Sequence, residues 1–157
     1  PGRTFTGSGA EKGQSSSTRT RTVLPPSSDR EDLALEAVRR ALRLDHDQIR
    51  DMRERRGVGV DAIDELRQCY EIKMTSSAGF PAEVTLLPSE VEAAQNDPDF
   101  FLALVSGLEE GEGSLKVRFI FKPLEVLAAK INGNVTLTGT DKVQALEYNF
   151  AKILPAN

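Results

Sequence analysis

The sequence predicts a mixed α/β domain, and three patterns support this prediction. Residues 33–42 place apolar side chains at helical spacing, residues 58–63 and 69–75 have the pattern of two strands around a turn, and residues 100–106 (FFLALVS) form a continuous apolar run. A run of that kind is typical of a strand buried on both faces, which requires packed layers on both sides of a sheet. The predicted order is one helix, three strands, a second helix, a buried strand and a β-rich C-terminal extension.

The length and composition predict one domain with a polar tail. Residues 1–27 are rich in Gly, Ser, Thr and Arg and contain few apolar side chains, so they are expected to form a disordered linker before a folded domain over residues 28–157. The chain begins without Met, which suggests a piece of a longer protein. No segment has the length and apolarity of a membrane span, and no signal peptide is apparent, so we expect a cytoplasmic protein that does not contact a membrane.

Charge is distributed unevenly along the chain. The net charge is −4, but residues 1–28 carry four basic residues against Glu11, while the remainder carries 16 basic against 23 acidic residues. A folded part this acidic is not expected to bind nucleic acid unaided, because phosphate affinity comes mainly from Lys and Arg.

Two residue types are too scarce for several kinds of active site. Cys69 is the only cysteine and His46 the only histidine, which excludes an internal disulfide and zinc sites built from these residues. Cys69 is predicted to be a small buried residue in a strand. Any chemistry must therefore use carboxylates, lysines and hydroxyls.

The first helix is predicted to begin at Ser28, because Ser28 and Glu31 have the spacing of a capping box. Its apolar stripe consists of Leu33, Ala34, Ala37, Val38, Ala41 and Leu42. The densely charged residues 43–57 are predicted to form a short second helix or a loop that Gly57 ends.

The central strands follow this charged run. Residues 58–63 (VGVDAI) and 69–75 (CYEIKMT) are predicted to form a hairpin around a turn at 64–68. A third strand is predicted at 83–87. A helix then begins at Pro88, since proline is favoured at the first helical position, and ends near Gln95.

The C-terminal part is predicted to contain a strand, a short helix and two further strands, over residues 115–122, 124–130, 134–138 and 145–150. Lys116 and Arg118 alternate with apolar residues in the first of these strands. This basic face would either follow a nucleic-acid backbone or be a solvated edge face, where lysines also discourage aggregation.

Three charged residues of the predicted hairpin form a candidate site. Glu71 and Lys73 share one face of their strand, and pairing with the preceding strand could bring Asp61 beside Glu71. Two adjacent carboxylates suit Mg²⁺ or Mn²⁺, which would polarise a phosphodiester and generate hydroxide, while a lysine orients the water or stabilises charge on phosphate. The alternative is an exposed strand face with a cross-strand salt bridge.

The wider sequence resembles a known family. Gly59-Val60-Asp61, Tyr70-Glu71-Ile72-Lys73, the helix start Leu87-Pro88-Ser89-Glu90 and the run from Phe100 to Ser106 resemble the C-terminal domain family named after the plant protein NO VEIN. That family is similar to PD-(D/E)XK nucleases of the Mrr and Holliday-junction-resolvase kind. The resemblance implies a restriction-endonuclease-like core of helix, three strands, helix and strand.

The resemblance also implies roles for individual residues. Asp61 and Glu71 would bind the metal ion, and Lys73 would be the catalytic lysine. Many relatives carry a further glutamate on the first helix, for which Glu36 is the best-centred candidate and Glu31 lies nearer the cap. No proline precedes Asp61, although the family pattern often has one there. Asp64 is an alternative carboxylate, but its position in the predicted turn favours a role in initiating that turn.

The function implied by this resemblance is a metal-dependent DNA endonuclease module within a larger defence or DNA-processing protein. Its expected partners are DNA and an ATPase or helicase region, or a partner subunit, that supplies DNA affinity. Assembly into a homo-oligomer is a further alternative. Ser76, Lys116 and Arg118 are candidate DNA contacts, although residues such as Ser76 more often cap a loop. The alternatives are a nuclease-like fold that has lost catalysis and binds protein or DNA, and an accessory domain of a chaperone-like ATPase.

Overall fold

The computed structural model describes residues 28–150 except 56, 76–78 and 111, so the predicted linker lies outside the described residues. The helices are α1 (Ser28–Leu42), α2 (Pro88–Asn96) and α3 (Pro123–Val126). The strands are β1 (Ile49–Asp51), β2 (Ala62–Asp64), β3 (Cys69–Met74), β4 (Glu83–Leu86), β5 (Phe100–Ser106), β6 (Lys116–Phe121), β7 (Ala128–Asn132), β8 (Asn134–Thr138) and β9 (Leu146–Asn149). Within these residues, no helix is both long and apolar enough to cross a membrane.

The described strands form a large and a small sheet. The large sheet has the order β1-β2-β3-β5-β6-β9, and the small one has the order β4-β8-β7. Every described pair of neighbours is antiparallel except β3 and β5, which run parallel and are joined through α2. The protein is therefore a mixed α/β domain, as the sequence predicted.

Layers cover both faces of the large sheet. One face packs against α1, whose Ala34 and Val38 contact the cluster that contains Tyr70 and Ile72 of β3. The other face packs against the small sheet through a second apolar cluster and against α2 through a third. Because successive strand residues point to opposite faces, Glu71 and Lys73 lie on the α2 side of β3.

Several elements lie where their local patterns predicted them. The hairpin of β2 and β3 is present, α2 begins at Pro88, and β8 has the predicted bounds. The β5 strand is buried on both faces, as its apolar run predicted, with only Phe101 partly accessible. Cys69 is a buried free cysteine at the start of β3, which confirms its prediction.

Two predictions about the central strands are wrong. The charged run 43–57 contains strand β1 after a short 3-10 turn, because pairing with β2 supplies the backbone partners that its own residues do not signal. The strand predicted at 83–87 exists as β4, but it pairs with β8 in the small sheet and does not join the hairpin. The three strands that precede α2 in the large sheet are consequently β1, β2 and β3.

Two C-terminal predictions also need correction. The helix predicted for 124–130 is only α3, and residues from Ala128 onward form β7, because they pair with β8 along its whole length. Strand β6 is an interior strand between β5 and β9 and not an edge. Its Arg118 is buried, so it is not part of a solvated basic face.

Gly59 fixes the distance between α2 and the segment that leads into β2. Its backbone has φ +79°, and a Cβ atom there would lie 2.1 Å from the carbonyl oxygen of Ser89 in the first turn of α2. Only glycine combines this conformation with this approach. The contact explains why residues 58–61 depart from the predicted strand, so that β2 begins only at Ala62.

Candidate active site

The edge of β3 that faces β2 is open beyond Tyr70. The two strands pair only through Ala62 with Tyr70 and Ile63 with Cys69. Asp61, immediately before β2, donates its backbone N–H to the carbonyl of Tyr70 at 2.8 Å, and its side-chain Oδ2 accepts the N–H of Ile72 at 2.8 Å. The carboxylate of Asp61 therefore replaces the backbone acceptor that a longer β2 would offer to the N–H of Ile72.

A cavity of about 240 Å³ lies at this open edge. It is bounded by the start of α1, the end of β1, the edge of β3 and the start of α2. The lining residues are Glu31, Ala34, Arg53, Asp61, Glu71, Ile72, Lys73, Met74, Leu87 and Glu90. All three predicted catalytic residues thus line one cavity, although Asp61 is ten positions from Glu71 in the chain.

Lys73 lies between two carboxylates in this cavity. Its Nζ is 3.3 Å from Oε2 of Glu71 and 3.1 Å from Oε1 of Glu90. Glu71 is 4% exposed, so its carboxyl group is almost fully removed from water. The alternation of β3 places Glu71 and Lys73 on one face, and α2 brings Glu90 to them.

Burial shifts the pKa of two carboxyl groups of the cavity, those of Asp61 and Glu71. Burial raises the pKa of Glu71 well above its usual range, and the nearby charge of Asp61 raises it further. Burial also raises the pKa of Asp61, although the N–H of Ile72 opposes that shift. Burial acts to lower the pKa of Lys73, but Glu71 and Glu90 outweigh it, so its pKa is raised and its ammonium group stays charged.

The donor set fits a hard divalent cation. Among the described residues, the ionisable lining residues are four acidic ones (Glu31, Asp61, Glu71 and Glu90) and two basic ones (Arg53 and Lys73). Across the described part of the chain, no group of three or more His, Cys, Asp or Glu side chains is arranged to hold a metal ion. Asp61 and Glu71, the ligands predicted from the sequence, both line the cavity. One or two protein carboxylates are what Mg²⁺ commonly takes alongside water.

The structure places Glu36 away from this cavity. Its carboxylate pairs with Arg39 and lies 3.4 Å from Nε2 of His46, on the side of α1 that faces the charged run. Glu31, one turn and a half earlier on α1, lines the cavity and adds to the charge around Asp61. The rotation of α1 about its own axis decides which glutamate faces β3. The spacing of the two glutamates in the sequence did not predict that rotation.

Two of the predicted DNA contacts, Lys116 and Arg118, do not line the cavity. Ser76 lies outside the described residues. Lys116 is half-buried and pairs in register with Ser106 of β5 and Asn149 of β9. The guanidinium of Arg118 donates to the carbonyl of Thr140 at 3.1 Å and to Glu147 at 2.9 Å, and it is committed to these internal partners.

Asp64 has the structural role that its position predicted. Its Oδ1 accepts the backbone N–H groups of Leu66 and Gln68, both at 2.9 Å, which closes the hairpin turn. Its Oδ2 accepts the hydroxyl of Tyr70 at 2.8 Å. Asp64 is therefore a turn residue and not a ligand in the cavity.

Two cavity residues were not assigned to the site from the sequence. The sequence explained Glu90 as part of the start of α2 and gave no sign of its contact with Lys73. Arg53 belonged to the charged run; its guanidinium donates to Asp51 at 2.6 Å and to Asp32 at 2.7 Å beside the cavity. Only the tertiary arrangement of β1, α1 and α2 identifies both.

Cys69 is not a nucleophile. Burial, followed by a hydrogen bond from its thiol to Asp97, raises its pKa to about 12. A thiol of that kind is protonated at neutral pH and inert.

Comparisons of this chain with known protein families, with curated proteins and with solved structures found no match. The geometry of the cavity therefore carries the functional proposal.

Proposed function

We propose that this chain is a metal-dependent DNA endonuclease domain of the PD-(D/E)XK kind, serving as the effector module of a larger defence or DNA-processing protein. The observation that carries the proposal is the convergence of Asp61, Glu71 and Lys73 in one cavity at the open edge of β3. The three residues come from two neighbouring segments of the hairpin, and together they suit metal-dependent phosphodiester hydrolysis.

The architecture supports the same proposal. The chain order of α1, the three paired strands β1 to β3, α2 and β5 follows the helix, three strands, helix and strand order of a restriction-endonuclease-like core. Strand β4 interrupts that order but joins the small sheet, together with β7 and β8. The remaining strands β6 and β9 extend the large sheet as a β-rich C-terminal part.

The side chains of the cavity suit distinct tasks. A divalent cation, when bound, supplies polarisation of the phosphodiester and a water of lowered pKa. The N–H of Ile72 fixes one oxygen of Asp61, which orients that carboxylate before any ligand arrives. Glu71 shares the cavity and adds the second carboxylate, and the repulsion between the two favours cation binding. The charged ammonium of Lys73 is placed to orient a water or to offset negative charge on phosphate.

Because the folded part is acidic, we propose that the rest of a larger protein supplies the affinity for DNA. The folded part carries a large excess of acidic residues, and the predicted basic face on β6 is not available because Arg118 is buried. An attached ATPase or helicase region, or a partner subunit, would hold the DNA while this domain cuts it.

Cleavage of plasmid and linear DNA with Mg²⁺ or Mn²⁺ tests the proposal. The longest natural form of the protein should be used, so that DNA affinity is present. Lys73→Ala and Glu71→Ala should each lower the cleavage rate by about 10²- to 10⁴-fold, the range expected for a group that acts in the chemical step. Glu92→Ala is the matched control, because it makes the same chemical change as Glu71→Ala at an exposed position that does not line the cavity. An inert wild type would show that the activity is absent, and mutants that cut as fast as the control would show that the cleavage does not depend on this cavity.

A nuclease-like binding module without catalysis is the second candidate, and one observation favours it. Lys73 contacts the carboxylates of Glu71 and Glu90, so these carboxylates are already engaged in an internal ion-pair network. Calorimetric titration of Mg²⁺ or Mn²⁺ separates the two candidates. Binding that Asp61→Asn abolishes supports the nuclease, whereas no binding supports the module.

A further inference from the structure

Glu90 makes two contacts from one oxygen in the first turn of α2. Its Oε1 accepts the backbone N–H of Leu87 at 2.9 Å, and the same atom accepts from Nζ of Lys73 at 3.1 Å. The side chain of Glu90 is 12% exposed. The first contact caps the helix, but the second joins α2 to the proposed catalytic lysine.

We infer that Glu90 is a positioning residue that holds the ammonium group of Lys73 in the cavity during the reaction. This inference rests on the proposed endonuclease function. Lysine has a flexible four-carbon stem, so a fixed partner is needed to keep its charge at one point. The two carboxylates that contact Lys73 are those of Glu71 and Glu90.

These two carboxylates cannot share the task equally when a cation is bound. Glu71 is a proposed ligand, so a divalent cation would draw its charge away from Lys73 and would itself repel the ammonium group. Glu90 is not a proposed ligand, so it would keep its contact with Lys73 when a cation is bound. Its negative charge would offset the repulsion and retain the lysine in the cavity.

The position of Glu90 is itself fixed by local structure. Pro88 begins α2, and the contact with the N–H of Leu87 defines the rotamer of Glu90. The carbonyl of Ser89 lies against Gly59, two residues before Asp61. The first turn of α2 is thus held at a set distance from Asp61, and Glu90 transmits that placement to Lys73.

A glutamine at position 90 separates positioning from capping. A capping box accepts Gln as well as Glu at this place, so Glu90→Gln keeps the cap of α2 and removes only the charge. If capping were its whole role, Glu90→Gln would cut DNA as the wild type does. Glu92→Gln is the control, since it makes the same chemical change at an exposed position of the same helix.

The experiment combines cleavage kinetics with NMR of the lysine ammonium group. With saturating Mg²⁺, Glu90→Gln should lower kcat by about 10- to 100-fold, the usual cost of removing a supporting contact, with KM for DNA close to wild type. The ammonium resonance of Lys73, assigned by its absence in Lys73→Ala, should broaden or vanish in Glu90→Gln and persist in Glu92→Gln. Glu90→Ala should show the same loss of kcat and, in addition, a lower melting temperature because the cap is gone.

The other outcomes would overturn either the positioning role of Glu90 or the proposed endonuclease function. Wild-type kcat in Glu90→Gln would leave the endonuclease function standing and reduce Glu90 to a helix cap. A lowered kcat with an unchanged Lys73 resonance, or an equal loss in Glu92→Gln, would also overturn the positioning role. An inert wild type would overturn the proposed function and, together with it, the role of Glu90 in the reaction.

Discussion

Substituting alanine for Gly59 should push α2 away from the segment that carries Asp61. A Cβ atom at Gly59 would lie 2.1 Å from the carbonyl oxygen of Ser89, 2.8 Å from its carbonyl carbon and 3.0 Å from Cβ of Ala93. Two of these neighbours are backbone atoms of a helix, so no side-chain rotation relieves the clash. The helix must shift, or the segment before β2 must change its conformation.

Two costs add to give the expected loss of stability. A non-glycine residue in the left-handed region costs about 1–2 kcal/mol. Inserting a methyl group into a packed contact costs about 1–3 kcal/mol more. Gly59→Ala should therefore lower the free energy of unfolding by about 2–5 kcal/mol.

Gly57→Ala provides the matched control. Gly57 has nearly the same φ, +77°, but a Cβ atom there would have nothing within 4 Å. It should lose only the conformational cost of about 1–2 kcal/mol. Urea denaturation followed by far-UV circular dichroism measures both variants, since the chain contains no Trp. If Gly59→Ala and Gly57→Ala lose the same free energy, the contact with α2 does not determine the fold at this point.

Two further predictions concern buried polar groups. The raised folded-state pKa of Glu71 gives a contribution to stability that is complete below its unfolded value near 4.5 and is lost as pH rises through the folded pKa. In EDTA, the unfolding free energy of the wild type should therefore fall as pH rises above about 4.5. Glu71→Gln should make that fall shallower, although the raised pKa of Asp61 retains part of it. An unchanged slope would contradict burial as the cause of the raised pKa of Glu71. Tyr70→Phe removes the donor to the buried carboxylate of Asp64 and should cost about 1.5–3 kcal/mol in urea denaturation. A smaller loss when Asp64→Asn is already present would confirm their coupling, and full additivity would refute it.

Local patterns were sufficient for the elements whose residues specify them without distant partners. The apolar run from Phe100 to Ser106 predicted a central strand because only a strand with both faces covered can bury it. Proline at position 88 predicted the start of α2 because it lacks the N–H group that a first helical residue leaves unpaired. The alternation in β3 put Glu71 and Lys73 on one face, and it named two of the three candidate catalytic residues.

Local patterns failed where a distant partner decides the structure. Strand β1 has three residues in a charged run, and its backbone becomes a strand only through pairing with β2. Strand β4 has a strand pattern, but the residues of β8, some fifty positions later, decide which sheet it joins. The burial of Arg118 depends in the same way on Thr140 and Glu147, which no pattern within β6 reveals.

The sequence by itself determined the α/β class, the hairpin, the second helix, the buried strand and the chemical types available at the candidate site. Each of these follows from side-chain periodicity or from the backbone chemistry of single residues, which act over a few positions. Only the tertiary structure decided that β2 stops pairing at Tyr70, that Asp61 then bonds to Ile72, and that Glu90 reaches Lys73 from α2. Those contacts join segments whose separation in space depends on the packing of whole layers, and packing is a property of all the elements together.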